Sequence, residues 1–552
     1  MIADIHITEK SFGDKTLMKD VKFSVDDGEK VGVVGRNGVG KSTLFGILSG
    51  KDTDYTGEVI FRRGITVATT AQEHHGLGDQ TVMSYILGGL PEYSKLKKII
   101  DEYPLTMGDN MRKIEEYTQA LERFDQKGFY QVEEKIEREL SNFQLEGYYN
   151  RRISSLSGGQ KRLVEIVKIM HSEAHLALID EPTNHMDYVA KQQFIDWMNS
   201  QPHQAMLIIT HDRDVLGQVD RIVEIKDGQA VSYRGNYDAY LKQNAQATTA
   251  GMNNFEQIEK RIVNLKQKVL DYQRLKEKSR NPGTIQKFKR LENEARSELA
   301  ELSEMEKPTF WIDKESVGQL DYKSAERYGK FKSRNIRLSM KDASSRSQHV
   351  LVRAENVAVG IGERILFEDV NIDLREGEAI EIRGRNGAGK TTLIRMILAS
   401  VKSFDGGPIL YSGDIFLDPQ VRIGVYEQEI DEKYLDDPLE KAIEKLYMSR
   451  DLSISDTKIR QLLADYLFTD ADRMTPLARL SGGQKARFQI IAMLANDPQL
   501  LILDEPTNHL DLPSIEELET ALVKYSGAIL YVSHDNYFRE KLGGKVVQIG
   551  AE

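Results

Sequence analysis

Lys30-Val-Gly-Val-Val34 runs directly into Gly35-Arg-Asn-Gly-Val-Gly40-Lys41-Ser42, and Thr43 to Leu48 continue as a helical run. A short apolar strand, a glycine-rich loop and a helix in that order make a phosphate-binding P-loop. Gly35, Gly38 and Gly40, with Asn37 among them, let backbone N–H groups point into an anion nest at a helix N-terminus. Lys41 reaches the β- and γ-phosphates, and the Ser42 hydroxyl takes Mg²⁺. The pattern returns at Gly384-Arg-Asn-Gly-Ala-Gly389-Lys390-Thr391, with Asn386 and Gly387 inside it and Thr392 after it. Two nucleotide-binding units of α/β type are therefore expected on one chain.

Further motifs repeat around these loops. Leu176-Ala-Leu-Ile-Asp180-Glu181 and Leu500-Leu-Ile-Leu-Asp504-Glu505 are buried-strand runs ending in two carboxylates. The first carboxylate of each pair suits a water-mediated hold on Mg²⁺, and the second suits orienting an attacking water. An ordinary strand with exposed acids at its end is the plainer alternative, but Pro182-Thr-Asn-His-Met-Asp187 follows and Leu156-Ser157-Gly158-Gly159-Gln160 precedes. The second copy has Leu480-Ser481-Gly482-Gly483-Gln484 in the matching place. The P-loops are offset by 349 residues, but the signature serines and the strand aspartates by 324. Gln72 lies 85 residues before Ser157, whereas Gln428 lies 53 before Ser481. The first copy thus carries about 32 extra residues, and the stretch of about 92–147 is expected to form a helical arm.

The P-loop, Gln72, Leu-Ser-Gly-Gly-Gln, the Asp-Glu strand and His211, in that order, resemble an ATP-binding-cassette ATPase, and Gln428 and His534 complete the second set. The resemblance implies an α/β fold of two P-loop ATP-binding-cassette domains joined by an α-helical hairpin. It implies that the signature serine and glycines bind the γ-phosphate of an ATP held on the opposite cassette. One site would then join Gly35–Ser42, Thr43, Gln72, Asp180, Glu181 and His211 to Ser481, Gly482, Gly483 and Gln484. The other joins Gly384–Thr391, Thr392, Gln428, Asp504, Glu505 and His534 to Ser157, Gly158, Gly159 and Gln160. Glu181, Glu505, His211 and His534 are the expected catalytic residues. Ser42, Gln72 and Asp180, with Thr391, Gln428 and Asp504, are the expected Mg²⁺ sets. Phe12 stands where the family places an aromatic that stacks on adenine, although a core Phe is an equally good reading. Ile361 occupies the matching place in the second copy, so an apolar contact is expected there.

Between the copies lies a charged hairpin. Phe255, Ile258, Ile262, Leu265, Val269 and Tyr272 recur at steps of three and four residues, as do Ile285, Phe288, Leu291, Ala295, Leu299 and Leu302. Asn281-Pro282-Gly283 breaks the helix, so the two runs can fold back and bury the seam. Arms of about 22 residues would rise roughly 33 Å. The tip carries Arg274, Lys276, Lys278, Arg280, Lys287, Lys289 and Arg290 against Glu277 alone. Clustered at the turn, these charges are expected to have no acids to pair with on the opposite arm. A solvated face is the bland use of such a run, and RNA contact the sharper one. The expected boundaries are 1–245 for the first cassette, 246–308 for the hairpin with tip 274–290, 309–349 for a second basic segment, and 350–552 for the second cassette. Residues 309–349 either dock on RNA or form a connector packing Phe310 and Trp311 on a cassette.

Thr-Asn-His after each Asp-Glu-Pro, Tyr233-Arg-Gly-Asn-Tyr-Asp-Ala-Tyr240, the arm and the linker are together similar to the ABC-F family. That resemblance implies an ATPase whose linker enters the ribosomal exit-tRNA site toward the peptidyl-transferase centre. The partners would be the bacterial 70S ribosome, its 23S rRNA and the peptidyl-site tRNA. Members are translation factors or antibiotic-resistance proteins, and the second basic segment and Ile361 tilt the expectation toward resistance. The ATPase subunit of a membrane transporter is the rival from another class; a DNA-repair cassette protein is a third. Composition narrows these. No run of eighteen apolar residues and no signal peptide is present, so a cytoplasmic monomer with intramolecular cassette pairing and no membrane contact is expected. The chain of 552 residues has no cysteine, which excludes thiolate catalysis and cysteine-bound metal. Its formal charge of −11 confines any RNA contact to local basic patches.

Overall fold

The computed structural model describes the chain except for residues 13, 14, 71–79, 107, 109, 185, 306, 319, 321, 339, 341–348, 400–407, 428, 429, 551 and 552. Its backbone divides into two compact units. One is Met1–Tyr237 together with Ile336–Glu552, and the other is Asp238–Asn335. Among the described residues no helix is long and apolar enough to cross a membrane.

The first unit holds both cassettes. In the first, strands 221–226, 30–34, 205–209, 176–180 and 67–69 lie parallel in that order, and Gln229–Arg234 pairs antiparallel on the outer edge. The runs Lys30–Val34, Leu176–Asp180 and Ala205–Ile209 are buried at every position. That is the pattern of parallel strands covered on both faces, and it explains why they read as unbroken apolar stretches. A second, antiparallel sheet joins Ala3–Phe12 to Lys15–Met18, Val21–Val25 and Thr56–Phe61. The second cassette repeats the plan. Strands 423–426, 500–504, 528–532, 379–383 and 545–548 are parallel, and Val350–Ile361 lies between Arg364–Arg375 and Ile409–Leu417. Each P-loop therefore leaves the C-terminal end of a central strand, where open parallel sheets bind ligands.

The insertion in the first cassette is helical: Pro91–Thr106, Met111–Gln126 and Val132–Asn142. Tyr93, Phe124 and Phe129 pack ring to ring at 5.4–5.6 Å between centroids and close its core. Arg123 grips Glu92 through two nitrogens. The second cassette has the shorter helices Leu439–Met448, Asp456–Asp465 and Asp470–Arg473 in this region.

The second unit is built on helices Tyr237–Lys278, of 42 residues, and Pro282–Ser303, of 22. The longer one begins upstream of the expected boundary at 246 and would extend about 63 Å if straight. Pro282 cannot supply an interior N–H, so the second helix starts there, with Asn281 capping it through Gly283 N. The seam buries Leu265, Val269 and Ala295, with Tyr272, Leu299 and Leu302 against them, and Tyr272 stacks on Phe288. Residues 310–335 fold onto the lower part of the long helix. Ile312, Tyr328 and Phe331 bury Met252, and the Phe310 ring lies where a Cβ on Gly251 would stand, at 2.7 Å. Packing of Phe310 on a cassette is one of the two expected uses of this segment; the ring contacts the linker helix, where the missing side chain at Gly251 opens a seat for it. Arg327, one of the segment's basic residues, is spent on Asn253 and Glu256.

Replacing Phe331 with Ala removes a buried ring from this small cluster at a cost of about 3–5 kcal/mol. Hydrogen exchange should then quicken across residues 310–335 while strands 30–34 and 379–383 keep their protection.

Candidate active sites

Each P-loop is fixed by the strand before it and the helix after it. Gly40 and Gly389 cap helices Lys41–Leu48 and Lys390–Ala399 at φ of 102° and 100°, a conformation open to glycine. Lys41 Nζ donates to the carbonyl oxygens of Gly35 at 2.6 Å and Arg36 at 3.3 Å. Lys390 Nζ repeats this on Gly384 and Arg385 at 2.8 and 3.0 Å. Burial lowers the pKa of both lysines, and nearby carboxylates oppose that shift.

Next to each lysine a hydroxyl meets the strand aspartate. Ser42 Oγ donates to Asp180 Oδ2 at 3.2 Å, and Thr391 Oγ1 to Asp504 Oδ2 at 2.7 Å. The other oxygen of Asp504 is buried without a hydrogen-bond partner. Hydroxyl plus carboxylate is an oxygen-only donor set that suits a small hard cation such as Mg²⁺. Among the described residues no cluster of three or more His, Cys, Asp or Glu makes a cage by itself. An ion here would complete its shell with phosphate oxygens and water. Gln72 and Gln428, expected in these sets, lie outside the described residues.

Glu181 and Glu505 follow the strand aspartates with φ of 48° and 52°, a strained conformation for a non-glycine residue that turns each side chain off the end of its strand. Burial pushes the Glu505 carboxyl up to about 7, with Lys390 opposing, and raises Glu181 as well, with Lys41 opposing. Asp504 is raised to about 6, again chiefly by burial. His534 is lowered to about 3 by burial and by Lys390, and His211 is lowered for the same kinds of reason, so both rings are neutral near pH 7. His534 N donates to Glu505 Oε2 at 3.1 Å and its Nε2 lies 3.3 Å from Oε1. His211 Nε2 stands 3.7 Å from Glu181. A carboxyl poised near neutrality beside a neutral imidazole can hold a water and accept its proton.

The cassettes meet across these loops. Asn37 N donates to Asp511 Oδ2 at 3.1 Å and its side chain donates to His509 O at 2.9 Å. Gly483 sits so close to Asn37 that a Cβ would stand 2.0 Å from Nδ2. In the reciprocal contact Asn386 N donates to Asp187 Oδ2 at 3.1 Å, Arg385 approaches the same carboxylate, and Gln144, from the end of the arm, also donates to it. Gly482 has the His509 ring 3.3 Å from the place of a Cβ, whereas around its counterpart Gly158 none of the described atoms comes within 4 Å. Ser157 and Ser481 are helix N-caps, each in a capping box with the glutamine of its motif, Gln160 or Gln484. The box ties up both ends of the motif and leaves the two intervening glycines as bare backbone in the first helical turn. Glu181, His211, Asn386, Lys390, Glu505 and His534 share the lining of one cavity of about 430 Å³ between the cassettes. Ile361 lines this cavity too, 58% exposed. Phe12 is 57% exposed with the Lys10 ammonium 4.8 Å over its ring, so it is no core residue. Gly38, Thr43, Gly159, Gly387, Thr392 and Gly482 keep their places in the loops and helix starts to which the sequence assigned them.

Asp187, Asp511 and Lys191 were not singled out from the sequence. Asp187 and Asp511 each stand seven residues after a strand aspartate, a repeat that could have drawn notice.

The linker tip needs one correction. Lys276 Nζ reaches Glu292 Oε2 on the opposite helix at 2.5 Å, where Arg296 also binds, and Arg290 pairs with Glu294 along its own helix. The antiparallel register sets Glu292 opposite residues 273–276, which the spacing of basic residues alone did not reveal. Arg274, Lys278, Arg280, Lys287 and Lys289 remain exposed around the turn.

Paired P-loops, signature motifs and Asp-Glu strands facing one another define a tandem ATP-binding-cassette ATPase. The profile of the ABC transporter family matches residues 18–184 and 367–508. The chain belongs to that family and, within it, to the ABC-F ATPases. It is 30% identical to the protein YdiF of Bacillus subtilis over 100% of this chain and 80% of that protein. To ABC transporter F family member 2 of Arabidopsis thaliana it is 29% identical over 98% and 75%. To the ribosome protection protein VmlR of Bacillus subtilis it is 28% identical over 96% and 83%. Among solved structures it resembles the archaeal ribosome recycling factor aABCE1, crystallised with the stalk protein aP1, at a TM-score of 0.56 and 18% identity over 97% of this chain and 86% of that one, a likeness of fold.

The raised carboxyl predicts a pH dependence. Glu505 carries its negative charge only above about 7, so in a Glu181→Gln chain kcat/KM for ATP should fall as pH drops through that value. A flat kcat/KM between pH 6 and 8 would remove Glu505 from the role of base.

Proposed function

We propose that this ABC-F protein hydrolyses ATP at two composite sites and spends the cycle on the bacterial 70S ribosome. It binds near the exit-tRNA site as a cytoplasmic monomer and directs its interdomain linker toward the peptidyl-transferase centre, against 23S rRNA and peptidyl-site tRNA. There it protects the ribosome from antibiotics. The observation that carries this reading is the cluster of exposed cations, Arg274, Lys278, Arg280, Lys287 and Lys289, at the turn of a helical hairpin in a chain of net charge −11. Such a cluster suits phosphate contact. VmlR, a ribosome protection protein matched over 83% of its length, supports the same target.

In this proposal Lys41 and Lys390 leave the loop carbonyls for the β- and γ-phosphates. Ser481, Gly482 and Gly483 complete the first site, and Ser157, Gly158 and Gly159 the second. Glu181 and Glu505 orient the attacking water, each steadied by His211 or His534. Ser42 with Asp180, and Thr391 with Asp504, would hold Mg²⁺ together with ATP, and the ion would neutralise phosphate charge. The signature contacts exist only when the cassettes are closed, so ATP favours closure and its hydrolysis releases it.

Cosedimentation tests the target. The Glu181→Gln/Glu505→Gln chain with ATP should pellet with 70S particles, and adding Lys278→Glu, Lys287→Glu and Lys289→Glu should abolish pelleting with ATP binding unchanged. Pelleting that survives these reversals would mean that the tip is not the RNA contact, and binding to membranes instead of ribosomes would refute the reading.

A further inference from the structure

The two interfaces that look equivalent in sequence are built differently. Helix Tyr188–Ser200 of the first cassette starts at Asp187, which caps it and holds Asn386 N of the second P-loop. One turn on, Lys191, only 4% exposed, donates to the backbone oxygen of His534 at 2.8 Å. The same ammonium is held by Asp214 at 2.6 Å and Asp212 at 3.3 Å, and Asn536 of the second cassette also reaches Asp214, at 2.8 Å. His534 in turn donates its own N–H to Glu505. A single helical turn of one cassette therefore grips both the P-loop of the other and the backbone that orients its glutamate.

The reciprocal turn lacks this donor; two turns on from Asp511 its helix instead holds Arg213, two residues after His211, through Glu519 at 2.6 Å, a side-chain ion pair rather than a bond to the His211 backbone. Ile515 stands four residues after Asp511, as Lys191 stands four after Asp187. It is buried at 2% exposure, and its hydrocarbon side chain cannot donate to a carbonyl. The imidazole Nε2 lies 3.7 Å from its glutamate at the first site and 3.3 Å at the second.

We propose that Lys191 is a positioning residue of the second site alone, carrying the docking of the first cassette to His534 and Glu505, and that the two sites consequently hydrolyse ATP unequally. The inference rests on the ATPase reading above. Lys191 borders the same cavity, but its ammonium is held by Asp212, Asp214 and the His534 carbonyl, so the effect proposed for it runs through the backbone of His534.

Lys191→Met keeps the length of the side chain and removes the donor. The readout is the first turnover of γ-labelled ATP in two backgrounds, Glu181→Gln, which reports the second site, and Glu505→Gln, which reports the first. In the Glu181→Gln chain Lys191→Met should slow cleavage by at least about tenfold, the scale of a small misplacement of a catalytic group, with half-saturation by ATP within about twofold. In the Glu505→Gln chain, which Lys191 reaches only through Asp212 beside His211, the rate should fall several-fold less, and its persistence shows that the variant folds. Lys191→Arg should restore most of the lost rate. Equal slowing in both backgrounds, or none in the Glu181→Gln chain, would overturn the proposal. A chain with both glutamates intact that cleaves no ATP would instead refute the ATPase reading itself.

Discussion

Two aspartates hold the cassettes together by doing two jobs at once. One oxygen of Asp187 caps helix Tyr188–Ser200 through Ala190 N, and the other accepts Asn386 N from the opposite P-loop. Asp511 does the same with Ser514 N and Asn37 N. Burial alone would raise the pKa of these carboxyls, but the N–H donors and nearby cations outweigh it, so both stay charged well below neutral pH. Parting the cassettes strips each carboxylate of the N–H that the opposite P-loop donates, a loss that Gln144 offsets at Asp187 and that no such side chain offsets at Asp511 among the described contacts.

That constraint sets where the chemistry can sit. Each aspartate is seven residues from a strand aspartate and six from the glutamate at its side, so docking and the carboxylate pair are joined by one short segment. Lys390, the Thr391–Asp504 contact, both glutamates and both neutral histidines are then presented to a common cavity. Departures from symmetry grow out of the same region: Gln144 brings the end of the arm onto Asp187, and Lys191 brings the first cassette onto His534. The linker unit has its own core around Met252 and its own seam around Leu265, Val269 and Ala295, which keeps the tip turn at Asn281 defined.

Much of this was legible in the residues. Glycines at fixed steps before Lys41 and Lys390, apolar runs ending in Asp-Glu, and the three-four spacing of the linker are local patterns, each with a local physical cause. What escaped depended on register or on the other cassette. The pairing of Lys276 with Glu292 follows from how two helices slide against each other, and sixteen residues of separation do not announce it. The seat of Phe310 at Gly251 required a close approach that composition does not encode. Lys191 looks like an ordinary surface lysine on a helix until the second cassette covers it. The helix start at Tyr237 was missed because the polar run Gln243–Thr249 hid the continuity.

The proposed exchange of signature motifs between cassettes is the centre of this account, and ATP turnover in the Glu505→Gln chain tests it most directly. In this account only the site built on Gly35–Ser42 is left to hydrolyse there, and Asn37 lies against Gly483 of the opposite cassette. Ser481→Ala should therefore lower the remaining turnover far more than Ser157→Ala does. A larger loss from Ser157→Ala would mean that each cassette uses its own signature, and the account would be contradicted.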